Sequence, residues 1–435
     1  MFGIPRRCVP DVHFNMIRVL YLISHERPLS GVILSQVAAM VRHMNSVFSK
    51  SISIKIAYQI PLVDLRKRGI VSTAQELRSF KQEAGLSEQM IFILPSMIPT
   101  SLFYMPSALV HCLIPGIKKL KRILEAENFD LIHARGYPAV LVAMKAIKDM
   151  IHHPKLVFDM RGLYPFEGVV LNKFAHDGVS FNFWKQVEIA SFHRADAILT
   201  LSSEMSKYVR SYGGNPFEIA PCVITEQLPS VKSVRDLRHD LGIDQDALVF
   251  AFSGTLGTWH SIDNLLRMYR SLKEGLCEWL PTRTFSLIII SPSFIPKRLL
   301  SDDILKVNAS PKEVIKILKC ADIGLVPLRD DARFQDLLDK IAETMGPAKV
   351  AEYLAAGLAI VSDRRAKALV DFIEHNKIGL SFDVGREVEA IKRLINIFND
   401  CDIKMRARKS GELKFGLNNV ANQIAFFYNK VQNDG

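Results

Sequence analysis

Lys349 and Glu352 are the pair of residues whose types and spacing most clearly suggest chemistry. They lie in residues 346–363, where a Gly-Pro loop leads into a helical stretch that stops at Gly357 before an apolar run. Three positions apart, both side chains project from one face of the first turn. A helix N-terminus offers free N–H groups and a positive dipole, so a lysine there predicts a bound anion, for which a diphosphate is suitable. Glu352 could accept hydrogen bonds from a ribose diol. The alternative is a surface ion pair on an ordinary amphipathic helix.

A second set of polar residues lies where two other apolar runs end, at His133 and at Asp159 and Arg161. Parallel sheets bind ligands at the carboxyl ends of their strands, so this placement favours a functional site. Two other interpretations remain open. His133 could be a structural histidine, and Asp159 and Arg161 could simply pair with each other across a turn.

The elements that position these residues follow a repeating pattern, in which apolar runs of strand length alternate with stretches of helical period. Because the runs are apolar throughout, we predict parallel strands covered on both faces. The pattern restarts after residues 216–231, where prolines and polar residues collect, and neither half contains G-x-G-x-x-G or a P-loop. We therefore expect two doubly wound, Rossmann-like α/β domains, at residues 1–220 and 221–405. Residues 406–435 should form a C-terminal helix that crosses back to the first domain.

Composition agrees with this division and narrows the partners. The chain has 435 residues, too many for one hydrophobic core, and its 49% hydrophobic content excludes disorder. The net charge of +11 favours an anionic partner, but no aromatic residues interleave with the basic runs, so we expect no nucleic acid. Six scattered cysteines show no metal-ligand spacing, which indicates free thiols in a reducing compartment and no metal. No apolar segment follows Arg6 and Arg7, so we expect a cytoplasmic protein.

Residues 90–117 form one stretch without acidic or basic side chains. It is long enough to span a bilayer, but four prolines would break a spanning helix. A buried strand followed by an apolar loop is one interpretation. The other is a surface that touches an anionic membrane, because the basic run of residues 118–122 follows directly.

Five segments, in order along the chain, resemble motifs of the retaining GT-B glycosyltransferases of family four. The segment around Lys349 resembles P-[ST]-K-x-x-E-Y-L-A-x-G. The others are residues 128–135, 158–162 (FDMRG), 194–202 and 252–260 (FSGTLGTWH). The resemblance spans roughly residues 15–400. It implies the GT-B fold, with two Rossmann-like domains facing a cleft, and a nucleotide-diphosphate sugar as co-substrate, with neither metal nor cofactor.

The resemblance also implies roles for single residues. Lys349 would contact the donor phosphate, Glu352 would bind the nucleotide ribose, and Gly254 with the backbone of Thr255 would approach the diphosphate closely. From the N-terminal half, the catalytic candidates would line the cleft together with two residues of the acceptor side; these are His133, Asp159 and Arg161, with Arg135 and the loop glycine Gly31.

The chain departs from the family pattern at several of these positions. Thr344 stands where the family has the first glutamate of E-x7-E, and Glu343 is one position out of register. Thr255 and His260 replace an arginine and a lysine of the glycine-rich loop. Lys349 should then carry more of the diphosphate charge, with help from His260, Arg329 or Arg333.

These expectations add up to a glycosyltransferase that acts with retention on a glycan or lipid-linked acceptor in surface polysaccharide or glycolipid biosynthesis. The departures leave a non-catalytic GT-B partner subunit as the alternative. A GT-B epimerase or phosphorylase is a further possibility, although the cofactor lysine motif of the phosphorylases is missing.

Overall fold

A computed structural model describes residues 16–87, 90–97, 111–221, 232–345, 348–383 and 387–434. Within these residues the chain forms two α/β halves, each built on one parallel sheet. The predicted fold class, two Rossmann-like domains, is confirmed.

The N-terminal sheet has seven strands among the described residues, all parallel, in the order β3-β2-β1-β4-β5-β6-β7. They are β1 (Ile17–Ser24), β2 (Ile52–Pro61), β3 (Ile91–Ser96), β4 (Leu131–Arg135), β5 (Lys155–Asp159), β6 (Ala197–Thr200) and β7 (Pro216–Glu218). The strand order reverses between β1 and β4, and doubly wound sheets bind ligands outside the carboxyl ends of strands at such a point.

The helices described in this half are α1 (Gly31–Ile33), α2 (Ala39–Val47), α3 (Leu62–Arg68), α4 (Ile70–Glu83), α5 (Ile114–Ala126), α6 (Gly136–Ile147), α7 (Tyr164–Val170), α8 (Val179–Arg194) and α9 (Ser203–Ser211). A π-helical turn, Leu34–Ala38, joins α1 to α2 and interrupts the regular α-helix there. Such turns are rare and are frequent at functional sites.

The C-terminal sheet has six described strands, also parallel, in the order β10-β9-β8-β11-β12-β13. They are β8 (Leu248–Ser253), β9 (Phe285–Ile290), β10 (Ile304–Val307), β11 (Ile323–Val326), β12 (Ala359–Asp363) and β13 (Gly379–Phe382). The order reverses between β8 and β11, which lies next to the loop that contains Gly254.

The remaining described helices are α10 (Lys232–Asp240), α11 (Ile262–Cys277), α12 (Pro311–Leu318), α13 (Gln335–Thr344), α14 (Ala348–Ala356), α15 (Lys367–Asn376), α16 (Glu387–Phe398), α17 (Ile403–Phe415) and α18 (Leu417–Asn433). A 3-10 turn, Lys297–Leu299, follows β9. Helix α17 buries Ala407 and Phe415 in the C-terminal core. Helix α18 instead buries Val420 and Tyr428 in the core of the N-terminal half. The chain therefore returns to its first half after α17.

The two halves meet through residues that follow strands at their carboxyl ends. Leu338 and Ile341 of α13 lie in a hydrophobic cluster of the N-terminal half, and Trp259, six residues after β8, packs against the same cluster. Ser202 Oγ, just after β6, donates a hydrogen bond to the Thr344 carbonyl oxygen at 3.1 Å. The carboxyl edges of the two sheets therefore face each other.

Strand β3 and helix α5 account for the two ends of the uncharged segment 90–117. Its middle, residues 98–110, lies outside the described residues. No helix in the described parts of the chain is both long and apolar enough to cross a bilayer.

Candidate functional site

Lys349 lies in the first turn of α14, directly beside the glycine that follows β8. Its ammonium nitrogen is 4.6 Å from the centre of the Phe252 ring, which is a cation–π contact. No described residue forms an ion pair or hydrogen bond with it. Gly254 has a φ of +123°, and a Cβ at this position would lie 2.7 Å from Lys349 Nζ. The missing side chain therefore keeps the space in front of the lysine open.

Glu352 lies one turn further along α14 and is held by the end of β8. Ser253 Oγ donates a hydrogen bond to Glu352 Oε2 at 3.1 Å. The backbone N–H of Ser253 donates to the hydroxyl of the neighbouring Tyr353 at 3.0 Å, and that hydroxyl donates to the Leu325 carbonyl oxygen at 3.0 Å. The ends of β8 and β11 are thus tied to α14, so the carboxylate and the lysine keep a defined position at the sheet edge.

The surroundings of this pair disfavour charge on both groups. Burial lowers the pKa of Lys349 to about 8, and the nearby Glu352 carboxylate only partly offsets this. Burial likewise raises the pKa of Glu352, against the Ser253 hydrogen bond and the lysine. A bound anion at Lys349 and hydroxyl donors at Glu352 would replace the water that burial removes. The pair is therefore suited to a ligand that carries both a phosphate and a diol.

The two substituted loop positions differ in exposure. Thr255 is exposed, whereas His260 is buried and shares a hydrogen bond between its Nδ1 and the Pro327 carbonyl oxygen. Because a carbonyl oxygen only accepts, Nδ1 carries the proton. Burial and the positive charge of Lys349 lower the pKa of His260 to about 3, so the ring is neutral. His260 therefore stabilises the loop and adds no positive charge for a diphosphate.

Arg329 and Arg333, the other expected helpers, share one carboxylate. Their guanidinium groups lie 2.7 Å and 2.9 Å from Asp331 Oδ2. The backbone N–H of Arg329 also donates to the Trp259 carbonyl oxygen at 2.9 Å, which joins this ion pair to the glycine-rich loop. One carboxylate balances only one of these two positive charges, but both arginines are held at Asp331, and Lys349 is the cation that lies beside Gly254 in the described site.

Neither candidate for the family's first glutamate faces this site. Glu343 points away and pairs with Lys367 of α15. Thr344 is buried, and its hydroxyl donates to the Ile341 carbonyl oxygen of its own helix at 3.1 Å. Helix α13 occupies this part of the chain and binds the N-terminal half instead.

In the N-terminal half, the predicted catalytic residues converge on one carboxylate. Asp159 Oδ2 accepts hydrogen bonds from Arg161 Nη2 at 2.6 Å, Arg161 Nε at 2.9 Å and Tyr21 OH at 3.4 Å, and lies 3.1 Å from His133 Nε2. His133 Nδ1 lies 2.8 Å from the hydroxyl of Tyr428 on α18. Although burial alone would raise it, the Arg161 guanidinium and the His133 hydrogen bond hold the pKa of Asp159 well below its usual range. The carboxylate therefore stays ionised.

Arg135 and Gly31 belong to the surroundings of this cluster. Arg135, the last residue of β4, is buried, and its Nε donates to Glu26 Oε1 at 2.8 Å. Its Nη2 donates to Gln36 Oε1, in the π-helical turn, at 3.3 Å, and its Nη1 has no hydrogen-bond partner among the described residues. Gly31 begins α1, three residues before that turn. The loop after β1 therefore lies against the end of β4.

A cleft of about 840 Å³ separates the halves, lined by the loop between α7 and α8 on one side and by the start of α13 and the residues before it on the other. A small cavity of about 30 Å³ beside His133 and Asp159 is the size of one water molecule, so no sugar fits there. The structure thus brings Gly254, Lys349 and Glu352 together in one half, and His133, Arg135, Asp159 and Arg161 in the other.

Sequence reasoning misses three residues of these clusters. Ser253 directly precedes the glycine-rich loop, so its position could have suggested a role. Gln36 and Tyr428 give no such signal, since their contacts join parts of the chain that are far apart in sequence.

The comparisons with known proteins agree with this geometry. Residues 93–227 match the model of the Glycosyltransferase Family 4 domain. A glycosyltransferase from Rickettsia africae superposes with a TM-score of 0.64 at 12% identity, over 97% of this chain and 100% of that chain. The fold is that of the GT-B glycosyltransferases.

Two further solved structures share this GT-B fold. Alr3699/HepE from Anabaena, in complex with UDP and glucose, superposes with a TM-score of 0.63 at 14% identity, over 95% of this chain and 100% of that chain. The lipopolysaccharide outer core galactosyltransferase WaaB gives 0.61 at 15% identity, again over 95% and 100%. No curated protein matches the sequence.

Proposed function

We propose that the chain is a glycosyltransferase that moves a sugar from a nucleotide-diphosphate sugar to a glycan or lipid-linked acceptor, with retention at the anomeric carbon. The observation that carries this proposal is Lys349, a half-buried lysine without a described counter-ion, which faces the open space beside Gly254. The similarity of residues 93–227 to family four and the GT-B fold support the reaction class.

The leaving diphosphate gains negative charge in the transition state, and groups aimed at it accelerate the reaction. Lys349 supplies a positive charge at that place, and the N–H groups at the start of α14 add to it. On this basis we propose transfer without a metal ion. Turnover should therefore persist in excess EDTA, and its loss, restored by a divalent cation, would refute this part of the proposal.

The donor base is tested most directly with uridine nucleotides, because the HepE structures contain UDP and UDP-glucose. Calorimetry across nucleotide sugars, with UDP-sugars first, should find one that binds to the wild-type chain and not to Lys349→Met. A glycan acceptor should then accept the sugar, and product analysis should show a retained anomeric configuration. An inverted product would exclude retention, and an altered free nucleotide sugar would indicate an epimerase.

For the acceptor, we propose a membrane-proximal location on the cytoplasmic face, in surface polysaccharide or glycolipid assembly. A groove of about 600 Å³ beside α5 has an apolar floor that includes Phe92, with Lys118, Lys119 and Arg122 along it. These three cations are exposed and have no ion pair among the described residues. Such a surface favours anionic headgroups.

Co-sedimentation with anionic vesicles tests this location. Binding should weaken with salt and with charge reversal of Lys118, Lys119 and Arg122. Reversal of three exposed lysines elsewhere, Lys50, Lys67 and Lys409, is the control, because it changes the net charge equally. Equal losses in the two triple variants would show a general charge effect and not a docking surface.

The second candidate function is a non-catalytic partner subunit. It is favoured by the ion pair of Glu343 with Lys367, which leaves no described glutamate of α13 directed at the donor pair. The absence of affinity for every nucleotide sugar would support this alternative, whereas binding with turnover would exclude it.

A further inference from the structure

Tyr428 connects the last helix of the chain to the polar cluster of the N-terminal half. Its phenol is buried, and its hydroxyl lies 2.8 Å from His133 Nδ1, 295 residues away in sequence. Burial raises the pKa of Tyr428 well above its ordinary value, so the phenol keeps its proton and can donate it.

The direction of each hydrogen bond follows from the carboxylate at the other end. An ionised Asp159 only accepts, so His133 Nε2, 3.1 Å from Asp159 Oδ2, must carry the imidazole proton. His133 Nδ1 is then the acceptor, and Tyr428 OH is the donor. Burial lowers the pKa of His133, which keeps the ring neutral and in this one tautomer.

Arg161 is the member of this chain of hydrogen bonds that reaches solvent. Its side chain is 24% exposed, compared with 2% for His133 and 1% for Asp159. Its Nε and Nη2 both donate to Asp159 Oδ2, which sets the orientation of the guanidinium plane. A ligand at the sheet edge can therefore contact Arg161, while the residues behind it are covered.

We propose that Tyr428 is a positioning residue for Arg161, acting through His133 and Asp159, so that the arginine is correctly oriented only when α18 is docked. The inference rests on the proposed function for its effect on turnover, but not for its effect on Arg161 itself. The proposal gives α18, which contains none of the sequence motifs, a role in the site.

Loss of the hydroxyl has a specific consequence. Without a donor at Nδ1, one nitrogen of the buried ring is left without a hydrogen bond, so His133 is no longer held in the orientation that directs Nε2–H at Asp159. The carboxylate, and the Arg161 guanidinium that it orients, can then shift. The groups that face the ring are Tyr21 of β1, Arg135 of β4, Asp159 and Arg161 at the end of β5, and Tyr428 of α18, and burial remains the main cause of the lowered pKa of His133. Asp159 favours the protonated ring and the two arginines oppose it.

Tyr428→Phe tests the proposal, with Tyr269→Phe as the matched control. Tyr269, on α11 of the C-terminal half, is equally buried. Its hydroxyl donates a hydrogen bond to Asp303 Oδ2 at 2.7 Å. Each variant loses one hydrogen bond of a buried phenol, worth on the order of 1 kcal/mol of stability. Their unfolding temperatures should therefore fall by similar amounts.

The direct readout is the rate at which phenylglyoxal modifies Arg161, followed by peptide mass spectrometry. We expect modification to speed up several-fold in Tyr428→Phe and to stay unchanged in Tyr269→Phe. An equal rate in Tyr428→Phe and the wild type would overturn the inference. This readout needs no turnover, so it decides the inference even if the wild type transfers no sugar, an outcome that would refute only the proposed function.

If the wild type transfers sugar, kcat of Tyr428→Phe should fall roughly ten- to a hundredfold, with little change in the donor KM. The reason is that Arg161 is displaced, whereas no contact that binds the donor is lost. In an Arg161→Ala background Tyr428→Phe should have no further effect on kcat. A loss that is additive with Arg161→Ala would show a merely structural role.

Discussion

The charged residues of the C-terminal half and those of the N-terminal half differ in what neutralises them. Lys349 has an aromatic ring and a glycine beside it, and no described carboxylate forms an ion pair with it, although Glu352 lies nearby. Asp159 has Arg161 at 2.6 Å and His133 at 3.1 Å, in a cavity that holds no more than about one water molecule. The first arrangement leaves a charge for a ligand to neutralise, and the second positions its own members.

The pKa values reflect the same difference. Burial lowers the pKa of Lys349 to about 8, and the nearby Glu352 carboxylate opposes this effect only in part. At Asp159 the partners outweigh the effect of burial, and the carboxylate stays charged. We therefore expect substitutions in the C-terminal pair to affect ligand binding and turnover more than folding. Removal of the central carboxylate of the N-terminal cluster, Asp159, should affect folding at least as much as turnover.

The largest effect on stability should come from Asp159→Ala. When this carboxylate is removed, the guanidinium groups of Arg135 and Arg161 lose a negative partner. Breaking a buried ion pair costs about 3–5 kcal/mol. Urea denaturation should show this loss in the free energy of unfolding. If Asp159→Ala unfolds at the wild-type midpoint, the cluster does not hold the N-terminal half together and the comparison fails.

The converse variant is Lys349→Met, which removes the charge and keeps a similar length and apolar stem. We expect kcat to fall about a hundred- to a thousandfold, as when one group that stabilises a developing anion is lost. Stability should be unchanged or higher, because the variant removes a charge whose burial is unfavourable. A variant that unfolds easily but turns over normally would reverse the roles that we assign to the two regions.

Gly254→Ala tests whether the open space before Lys349 matters. A Cβ at 254 would lie 2.7 Å from Lys349 Nζ and would push the ammonium group away. We expect donor affinity to fall by about tenfold or more, measured by calorimetry, since an ill-placed cation loses much of its interaction with phosphate. Gly257→Ala is the control, because Gly257 also has a positive φ, +102°, and no atom within 4 Å of the added Cβ. Equal losses in both variants would indicate backbone strain alone.

Most of the fold could be predicted from the sequence because the buried strands are short, apolar runs with local signals. The apolar runs predicted at residues 285–290 and 156–160 form β9 (Phe285–Ile290) and β5 (Lys155–Asp159). Helix α13 could not be predicted in this way, because its apolar residues Leu338 and Ile341 face the other half of the chain. The spacing of apolar residues along a helix does not show which distant part of the chain those residues pack against.

The candidate site was predictable to the same extent. Lys349 and Glu352 lie in one helical turn, so their spacing alone predicts a shared face, and the structure places both beside Gly254 and Ser253. The charge on His260 was not predictable, since it depends on burial and on the Pro327 carbonyl oxygen 67 residues away. The contact of Tyr428 with His133 likewise depends on the return of α18 to the first half.

The smallest effect concerns pH and follows from the pKa of about 8 for Lys349 in the free protein. A bound diphosphate favours the protonated amine, so above this pKa the lysine must take up a proton when the donor binds. Donor affinity should be constant below about pH 7 and fall by up to about tenfold for each unit above pH 8.

The stability of the unliganded protein should change with pH in the opposite sense. The unfolded chain binds more protons than the native one between pH 8 and the ordinary lysine value of 10.5, so the lysine's contribution to the free energy of unfolding rises with pH across that window.

Lys349→Met should remove both trends, and calorimetry with UDP or the donor found in the screen, together with urea denaturation at matched pH, measures them. A pH dependence of donor affinity that survives in this variant would place the titrating group elsewhere. Lys349 would then not be the group whose charge binds the donor diphosphate. The contrast with the N-terminal cluster, whose charged residues pair with each other, would have to rest on Glu352 alone.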